Sequence, residues 1–314
     1  MTQLVLTDAE LPDEMLAMIG QSCRVVVWQG AATAPNLLAE AEGLLTYGHP
    51  LIGPAELDRM PKLRIISNFG VGVDHLDLPA ASQRRVAVGN TPGFVDHATA
   101  DMTMALLLAI GRNVVTGNSY AHSPAFTNYN PSILHGHDVH GATLGIVGLG
   151  AIGKLVARRA NGFEMKVIYH NRKPDLTAEA ELGVRYTSLA NLLSEADFVA
   201  LNVPLTPATR NMIGAEQLQQ MKSTAFLINM ARGAVVDHDA LNQALANKLI
   251  AGAALDVTEP EPLPRNHPLL ERANVIVTPH LGSAARRTRT GMYRRTVDNL
   301  LAGLSGQELP SSVA

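Results

Sequence analysis

The sequence predicts an α/β protein built from two consecutive doubly wound parallel-sheet units, and three observations carry that expectation. Its 314 residues exceed what one hydrophobic core comfortably organises and suit two domains. Short apolar runs alternate with helical patterns almost from end to end, as parallel strands covered by helices require. Midway, Gly148-Leu149-Gly150-Ala151-Ile152-Gly153 stands between one such strand and one such helix.

In the first unit the expected strands are residues 4–6, 25–28, 43–46, 63–67 and 86–89. Between them lie helical segments such as 12–19 and 35–40, each beginning with the proline that a first helical turn tolerates. Thr91-Pro92-Gly93 breaks the pattern, and an apolar helical run over 95–113 follows. Residues 122–140 show little periodicity and form too long a stretch for a passive connection. A second strand series runs through 143–147, 166–169, 198–201, 225–229, 251–256 and 275–278, and a helix over 284–304 precedes a short tail. The connecting helices near Val95 and Ala284 are expected hinges. No repeat of solenoid period and no low-complexity tract is present.

Composition narrows the class. Hydrophobic residues make up 46% and charged ones 17%, as in ordinary globular proteins. A formal net charge of -3 offers no electrostatic attraction for nucleic acid or an anionic membrane. The single cysteine, Cys23, excludes an internal disulfide and a thiolate metal cluster, which fits a reducing cytoplasm. The first residues lack the basic region and apolar core of a signal peptide. The apolar stretch 105–110 is bounded by Asp101 and Arg112, too short to span a bilayer. Eleven histidines include no pair in a zinc-ligand motif, so no metal is expected.

The glycine turn has the context of a dinucleotide site. Gly148 permits the tight turn, Gly150 lets the backbone approach a pyrophosphate, and Gly153 allows close helix–strand packing. The first helical amides then face the phosphates. An NAD site wants an acid at the end of the next strand to bind the adenosine ribose. Here the chain runs Ile168-Tyr169-His170-Asn171-Arg172-Lys173-Pro174, with no acid before Asp175. Arg172 and Lys173 suit a 2′-phosphate, so NADPH is the expected cofactor, with NADH the alternative.

Two further strand ends carry chemistry. Met230-Ala231-Arg232-Gly233 sets an arginine at the carboxyl end of a parallel strand, where it can grip a carboxylate and polarise an adjacent carbonyl. Thr278-Pro279-His280-Leu281-Gly282-Ser283 places a histidine in the same kind of position. A carboxylate against that imidazole would keep a proton available near neutral pH. Glu261 and Glu259, in Glu259-Pro260-Glu261-Pro262, are both candidates, and their sequence positions do not choose between them.

With Gly70-Val71-Gly72-Val73-Asp74, Ala254-Leu255-Asp256-Val257 and Pro279-His280-Leu281-Gly282-Ser283 added, the chain resembles the D-2-hydroxyacid dehydrogenases over nearly its whole length. Residues 260–264 with 266–269, and 280–284 with 287–289, are most similar to the glyoxylate/hydroxypyruvate reductase branch. The resemblance implies Glu261 as the histidine's partner, His280 as acid/base and Arg232 as the substrate-binding arginine. It implies Val71 and Gly72 as amide donors to the substrate carboxylate, and Asp256 as a partner of the nicotinamide carboxamide. Along the cofactor it also places Ala151, Ile152, Asn171, Pro204, Thr209, Met230, Ala231, Gly282 and Ser283. The implied fold is discontinuous, with residues 1–94 and 286–314 forming a flavodoxin-like substrate domain around a Rossmann cofactor domain at 95–285.

A homodimer is also implied. Where that branch sends a tryptophan into the partner's substrate site, this chain has Phe126-Thr127-Asn128-Tyr129-Asn130-Pro131, so Tyr129 takes that place. The expected reaction is hydride transfer to a small 2-keto acid in an interdomain cleft. Its rival is a dinucleotide-sensing binding protein with little turnover.

Overall fold

A computed structural model describes residues 2–313, which form two compact units: residues 2–95 with 285–313, and Asp96–Ala284. The first holds five parallel strands, β1 (Gln3–Thr7), β2 (Cys23–Val27), β3 (Gly43–Thr46), β4 (Ile65–Asn68) and β5 (Ala87–Gly89). Their order is β2-β1-β3-β4-β5, the flavodoxin-type arrangement. Every residue of β3 and β4 is buried, because helices cover both faces. Leu4, Leu6, Leu44, Ile66 and Val88 form one face with Leu38, Leu57 and Ala80. Val5, Leu45 and Ile65 form the other with Met15, Val297, Leu300 and Leu304. Gly303 matters here, since a Cβ would fall on the Ile65 side chain and lift the final helix, Arg286–Ser305, off the sheet.

The second unit has seven strands: β6 (Thr143–Val147), β7 (Lys166–His170), β8 (Arg185–Tyr186), β9 (Phe198–Leu201), β10 (Phe226–Asn229), β11 (Gly252–Leu255) and β12 (Val275–Val277). They are parallel and ordered β12-β11-β10-β9-β6-β7-β8, so strand order reverses at the β6/β9 boundary. Ligands bind beyond the carboxyl ends of strands at such a switch point. Leu144, Ile146, Phe198, Phe226 and Ile228 pack on the helices Asp96–Gly111 and Ala151–Asn161. Val199, Leu201, Leu227 and Leu255 pack with Leu192, Leu193, Leu241 and Leu245 on the opposite face. Completely burying a leucine such as Leu107 contributes about 1.5–3 kcal/mol.

The differences from the sequence reading have local causes. The run expected over 95–113 is the helix Asp96–Gly111, which stops where Asn113 takes a left-handed φ of 52° and opens a second helix, Val114–Ala121. That second helix buries no residue, so no amphipathic period announced it. β8 has only two residues, too few to show alternation. The expected strand 63–67 begins at Ile65, because Leu63 still belongs to the preceding turn through its N–H to Met60 O. No single helix among the described residues is long and apolar enough to cross a membrane.

Candidate active site

The glycine turn follows β6 at the switch point. Gly148 adopts a φ of +101°, and a Cβ there would meet Asn202 O at 2.7 Å, so both conformation and space demand glycine. At Gly153 a Cβ would run into the Gly148 carbonyl, which is the close packing expected of that position. Gly150 differs from both: a Cβ would meet nothing within 4 Å, so nothing in the protein fills the space in front of it. The helix Ala151–Asn161 also begins without a side-chain cap and without an acid in its first turn. Asp77, Asp175, Ser188 and Asp237 cap other helices. An open cradle with uncapped first-turn amides at Ala151 and Ile152 suits a pyrophosphate.

Asn171, expected along the cofactor, has its amide turned to the glycine turn. Its Oδ1 accepts from Leu149 N at 2.7 Å and its Nδ2 donates to Leu149 O at 3.4 Å, which props the loop from below. Arg172 and Lys173 are exposed, and among the described residues neither has a carboxylate partner. The nearest following acid, Asp175, is engaged by Lys154 at 2.7 Å and caps the next helix at Ala178 N. The Lys154 ammonium and that amide hold its carboxyl below the usual carboxylate range. Pro204 and Thr209 lie in the loop after β9, where the Thr209 hydroxyl donates to Pro204 O at 2.6 Å.

Arg232, Glu261 and His280 follow three adjacent strands, β10, β11 and β12, whose ends are in register through Asn229↔Leu255 and Leu255↔Val277. Asn229, fully buried, shapes the first turn by accepting from Ala231 N at 3.0 Å and donating to Arg232 O at 3.0 Å. Gly233 then lets the Thr258–Glu259 backbone cross directly over it, where any Cβ would collide. That crossing brings the Glu261 loop against the Arg232 turn. The Arg232 guanidinium also donates through Nη1 to Ala231 O at 2.9 Å. Met230 and Ala231, expected along the cofactor, are buried beneath this turn.

Glu261 is the carboxylate paired with the histidine: its Oε1 lies 2.8 Å from His280 Nδ1. That contact occupies the ring's Nδ1. His280 itself has a left-handed φ of 55°, a strained conformation for a side-chain-bearing residue. Its N–H donates to Asp256 O at 2.9 Å and Thr278 O at 3.0 Å. The Asp256 carboxylate, 2% exposed, accepts from Thr278 Oγ1 at 2.6 Å, Leu281 N at 2.7 Å and Gly282 N at 2.7 Å. Asp256 therefore braces the turn that carries His280, a role the sequence reading did not foresee. Gly282 is also held through its carbonyl by Thr99 Oγ1 at 3.3 Å, and Ser283 follows it half-buried.

Val71 and Gly72 belong to the first unit, in the turn after β4. Asn68 Nδ2 donates to Gly70 O and to Gly72 O, both at 3.0 Å, and Asn90 Nδ2 donates to Val71 O at 2.9 Å. Three carbonyls are thus drawn to asparagine amides, and among the described residues the Val71 and Gly72 N–H groups have no partner. Adjacent unpaired amides of this kind form an anion nest. Asn68, Asn90 and Asn229 went unremarked in the sequence, although an asparagine closing an apolar strand is a recognisable turn former. Tyr129 is 82% exposed, in a segment without helix or strand that follows the helix Val114–Ala121.

Comparison with known proteins agrees with this geometry. The family described as D-isomer specific 2-hydroxyacid dehydrogenase, NAD binding domain, matches residues 104–282. A glyoxylate reductase of Korarchaeum cryptofilum is 41% identical across 98% of this chain and 95% of its own. An NADPH-dependent glyoxylate/hydroxypyruvate reductase of Sinorhizobium meliloti, solved with NADP and malonate, superposes with a TM-score of 0.90 at 31% identity, covering 100% of this chain and 97% of that one. A D-lactate dehydrogenase of Aquifex aeolicus, solved with NAD and lactic acid, gives 0.88 at 28% identity, with 99% and 98% covered.

The two glycines make a discriminating pair. Gly150→Ala should keep the parent's melting temperature yet weaken nucleotide binding about tenfold or more, whereas Gly153→Ala should lower the melting temperature itself. Thermal melts and fluorescence titration with NADPH check both; undiminished affinity in Gly150→Ala would show that the cradle holds no phosphate.

Proposed function

Since the chain belongs to the D-isomer specific 2-hydroxyacid dehydrogenase family and is an NAD(P)-dependent oxidoreductase, we propose that it reduces small 2-keto acids such as glyoxylate and hydroxypyruvate to D-2-hydroxy acids with NADPH. The observation that carries this reading is the 2.8 Å contact between His280 Nδ1 and Glu261 Oε1, set on the sheet that also carries the glycine turn. When bound, the reduced nicotinamide supplies the hydride. Gly148, Gly150 and Gly153 with the amides of Ala151 and Ile152 would hold the pyrophosphate, and Arg172 and Lys173 the 2′-phosphate.

Arg232 takes the substrate carboxylate and polarises the neighbouring carbonyl, with the Val71 and Gly72 amides as further carboxylate donors. His280 Nε2 delivers a proton to the carbonyl oxygen as charge develops there. Glu261 holds the ring in place for that transfer through its contact with Nδ1. Asp256 keeps the histidine's turn closed, and one further acceptor position on its carboxylate is left for the nicotinamide carboxamide. The preference for NADPH rests on the two exposed cations at the end of β7 and on the engagement of Asp175 elsewhere.

The reading includes a homodimer. Val114, Val115, Phe126, Tyr129, Ile133 and Leu134 are all at least 39% exposed within one stretch of chain, an apolar surface suited to a second copy. Tyr129 is its most exposed aromatic residue.

Kinetics, cofactor choice and particle mass test these statements. His280→Ala should lower kcat about 10²–10⁴-fold while leaving the nucleotide Kd nearly unchanged, and Arg232→Ala should chiefly raise the keto-acid KM; normal turnover in the first variant would remove His280 from the reaction. Nucleotide binding without turnover across a keto-acid panel would instead mark a dinucleotide sensor. Arg172→Asp should reduce the NADPH-over-NADH efficiency ratio at least about tenfold, and an unaltered ratio would overturn the 2′-phosphate assignment. Sedimentation should give about twice the 33.4 kDa chain mass, falling to one chain when Val115 and Phe126 are both replaced by glutamate.

A further inference from the structure

The chain beyond the final helix turns back onto the first sheet. Gly306, at a left-handed φ of 70°, ends the helix Arg286–Ser305, and Leu309 joins the apolar cluster of Val297, Leu300 and Leu304. Ser312 then forms an antiparallel bridge with Gly89 of β5, the edge strand, and Val313 N donates to Val88 O at 2.8 Å. Covering a sheet edge needs no more than such backbone pairing. Here side chains add a second set of bonds, and these converge one residue beyond the strand, on Asn90.

The Asn90 carbonyl accepts from Ser311 Oγ at 2.6 Å and from Asn299 Nδ2 at 2.9 Å, and the Asn90 N–H donates to Ser311 O at 3.3 Å. Asn299, fully buried on the final helix, also donates through Nδ2 to Ser311 Oγ at 3.3 Å and accepts from Ser311 N at 3.1 Å. It sits directly over Gly89, where a Cβ would come within 2.8 Å of its side chain. On the other side of the same segment, Asn90 Nδ2 donates to Val71 O at 2.9 Å and Thr91 N donates to Gly70 O at 3.0 Å. Asn90 and Thr91 are thus fixed by the tail through one set of atoms and fix the anion nest through another. All of these residues belong to the first unit.

We propose that the tail is a positioning element for substrate binding. Ser311 and Asn299 lock Asn90 and Thr91, which hold the Gly70 and Val71 carbonyls back and keep the Val71 and Gly72 amides turned toward a carboxylate. The proposal rests on the reading that those two amides receive the substrate carboxylate. An anion nest works only while its N–H groups converge, and a carbonyl released from its donor would let the peptide plane rotate. Asn299 and Ser311 act through the turn and take no part in hydride or proton transfer. Groups that hold a carboxylate equally in the ground and transition states govern KM rather than kcat. The nucleotide turn belongs to the other unit, so NADPH affinity should be indifferent to the tail.

Steady-state kinetics with glyoxylate and NADPH, nucleotide titration and thermal melts on the full chain and its variants test this. Asn90→Ala should raise the glyoxylate KM about fivefold or more. Ser311→Ala removes one bond to Asn90 O; it should raise KM about threefold to fivefold, with kcat within about twofold and the NADPH Kd unchanged. Ser311→Thr keeps the hydroxyl and should restore the parent KM. In the Asn90→Ala background Ser311→Ala should cost less than it does alone, because effects that pass through a shared group are not additive. Ending the chain after Leu309 removes every tail bond to Asn90 and should raise KM about tenfold or more. Should that form fail to fold, Ser311→Ala and its rescue decide the question. A parent-like KM in Ser311→Ala, an equal loss of kcat and NADPH affinity, or full additivity with Asn90→Ala would each overturn the tail's role. An unchanged KM in Asn90→Ala would overturn the nest reading along with it, and a parent that turns over no keto acid would overturn the reductase reading, so the failures are distinguishable.

Discussion

The carboxylate of Asp256, buried at the end of β11, is the constraint on which the site's geometry depends. Burying a charge is costly unless donors surround it. Here the Thr278 hydroxyl and the Leu281 and Gly282 amides supply them. Hydrogen bonds to a charged group contribute about 1.5–3 kcal/mol each, enough to offset the roughly 1–3 kcal/mol of a strained backbone conformation. That strain is the left-handed φ of His280, which lies inside the turn those bonds close. The aspartate holds its own place because β11 is hydrogen-bonded on one side to β10 and on the other to β12. A histidine on a strand-end loop is thereby held as firmly as the sheet.

The first unit uses the same device with opposite polarity. Asp256 gathers N–H groups, whereas Asn68 and Asn90 gather the carbonyls of Gly70, Val71 and Gly72. Removing carbonyls from a turn's open side leaves its amides facing outward, and an anion is the natural complement. Asn229 works on both kinds of group at once around Arg232. In each case a short polar side chain at the carboxyl end of a parallel strand turns the following residues back upon itself. Side chains at those ends converge because the strands are parallel, so the functional groups gather on one edge of each sheet.

Much of this was legible in the chain. β3 and β6 through β12, apart from β8, lie within a residue or two of the apolar runs that announced them, since a buried parallel strand is a continuous apolar stretch. Glycine spacing disclosed the turn at Gly148–Gly153 because each glycine answers a separate demand, two from the protein and one from the open cradle. The helix Val114–Ala121 escaped notice because it buries nothing and therefore writes no period. Asn171 was assigned to the cofactor by its position, yet its amide is spent on Leu149, a contact across 22 residues that no local pattern records. Asp256 was singled out for a ligand contact, while its three protein donors come from a turn more than twenty residues away.

The sequence by itself determined the two-sheet architecture, the glycine turn, the candidate arginine and histidine, and the family to which the chain belongs, because these follow from residue type and short-range spacing. Residue spacing alone left Glu259 and Glu261 as equals, and resemblance favoured the second. Only the tertiary structure put one of them 2.8 Å from the imidazole, by laying the Thr258–Glu259 backbone over Gly233 and registering β10, β11 and β12 side by side. The grip of Asn299 and Ser311 on Asn90 was equally out of reach, since more than two hundred residues separate Asn90 from either and only the packed sheet and final helix close that distance.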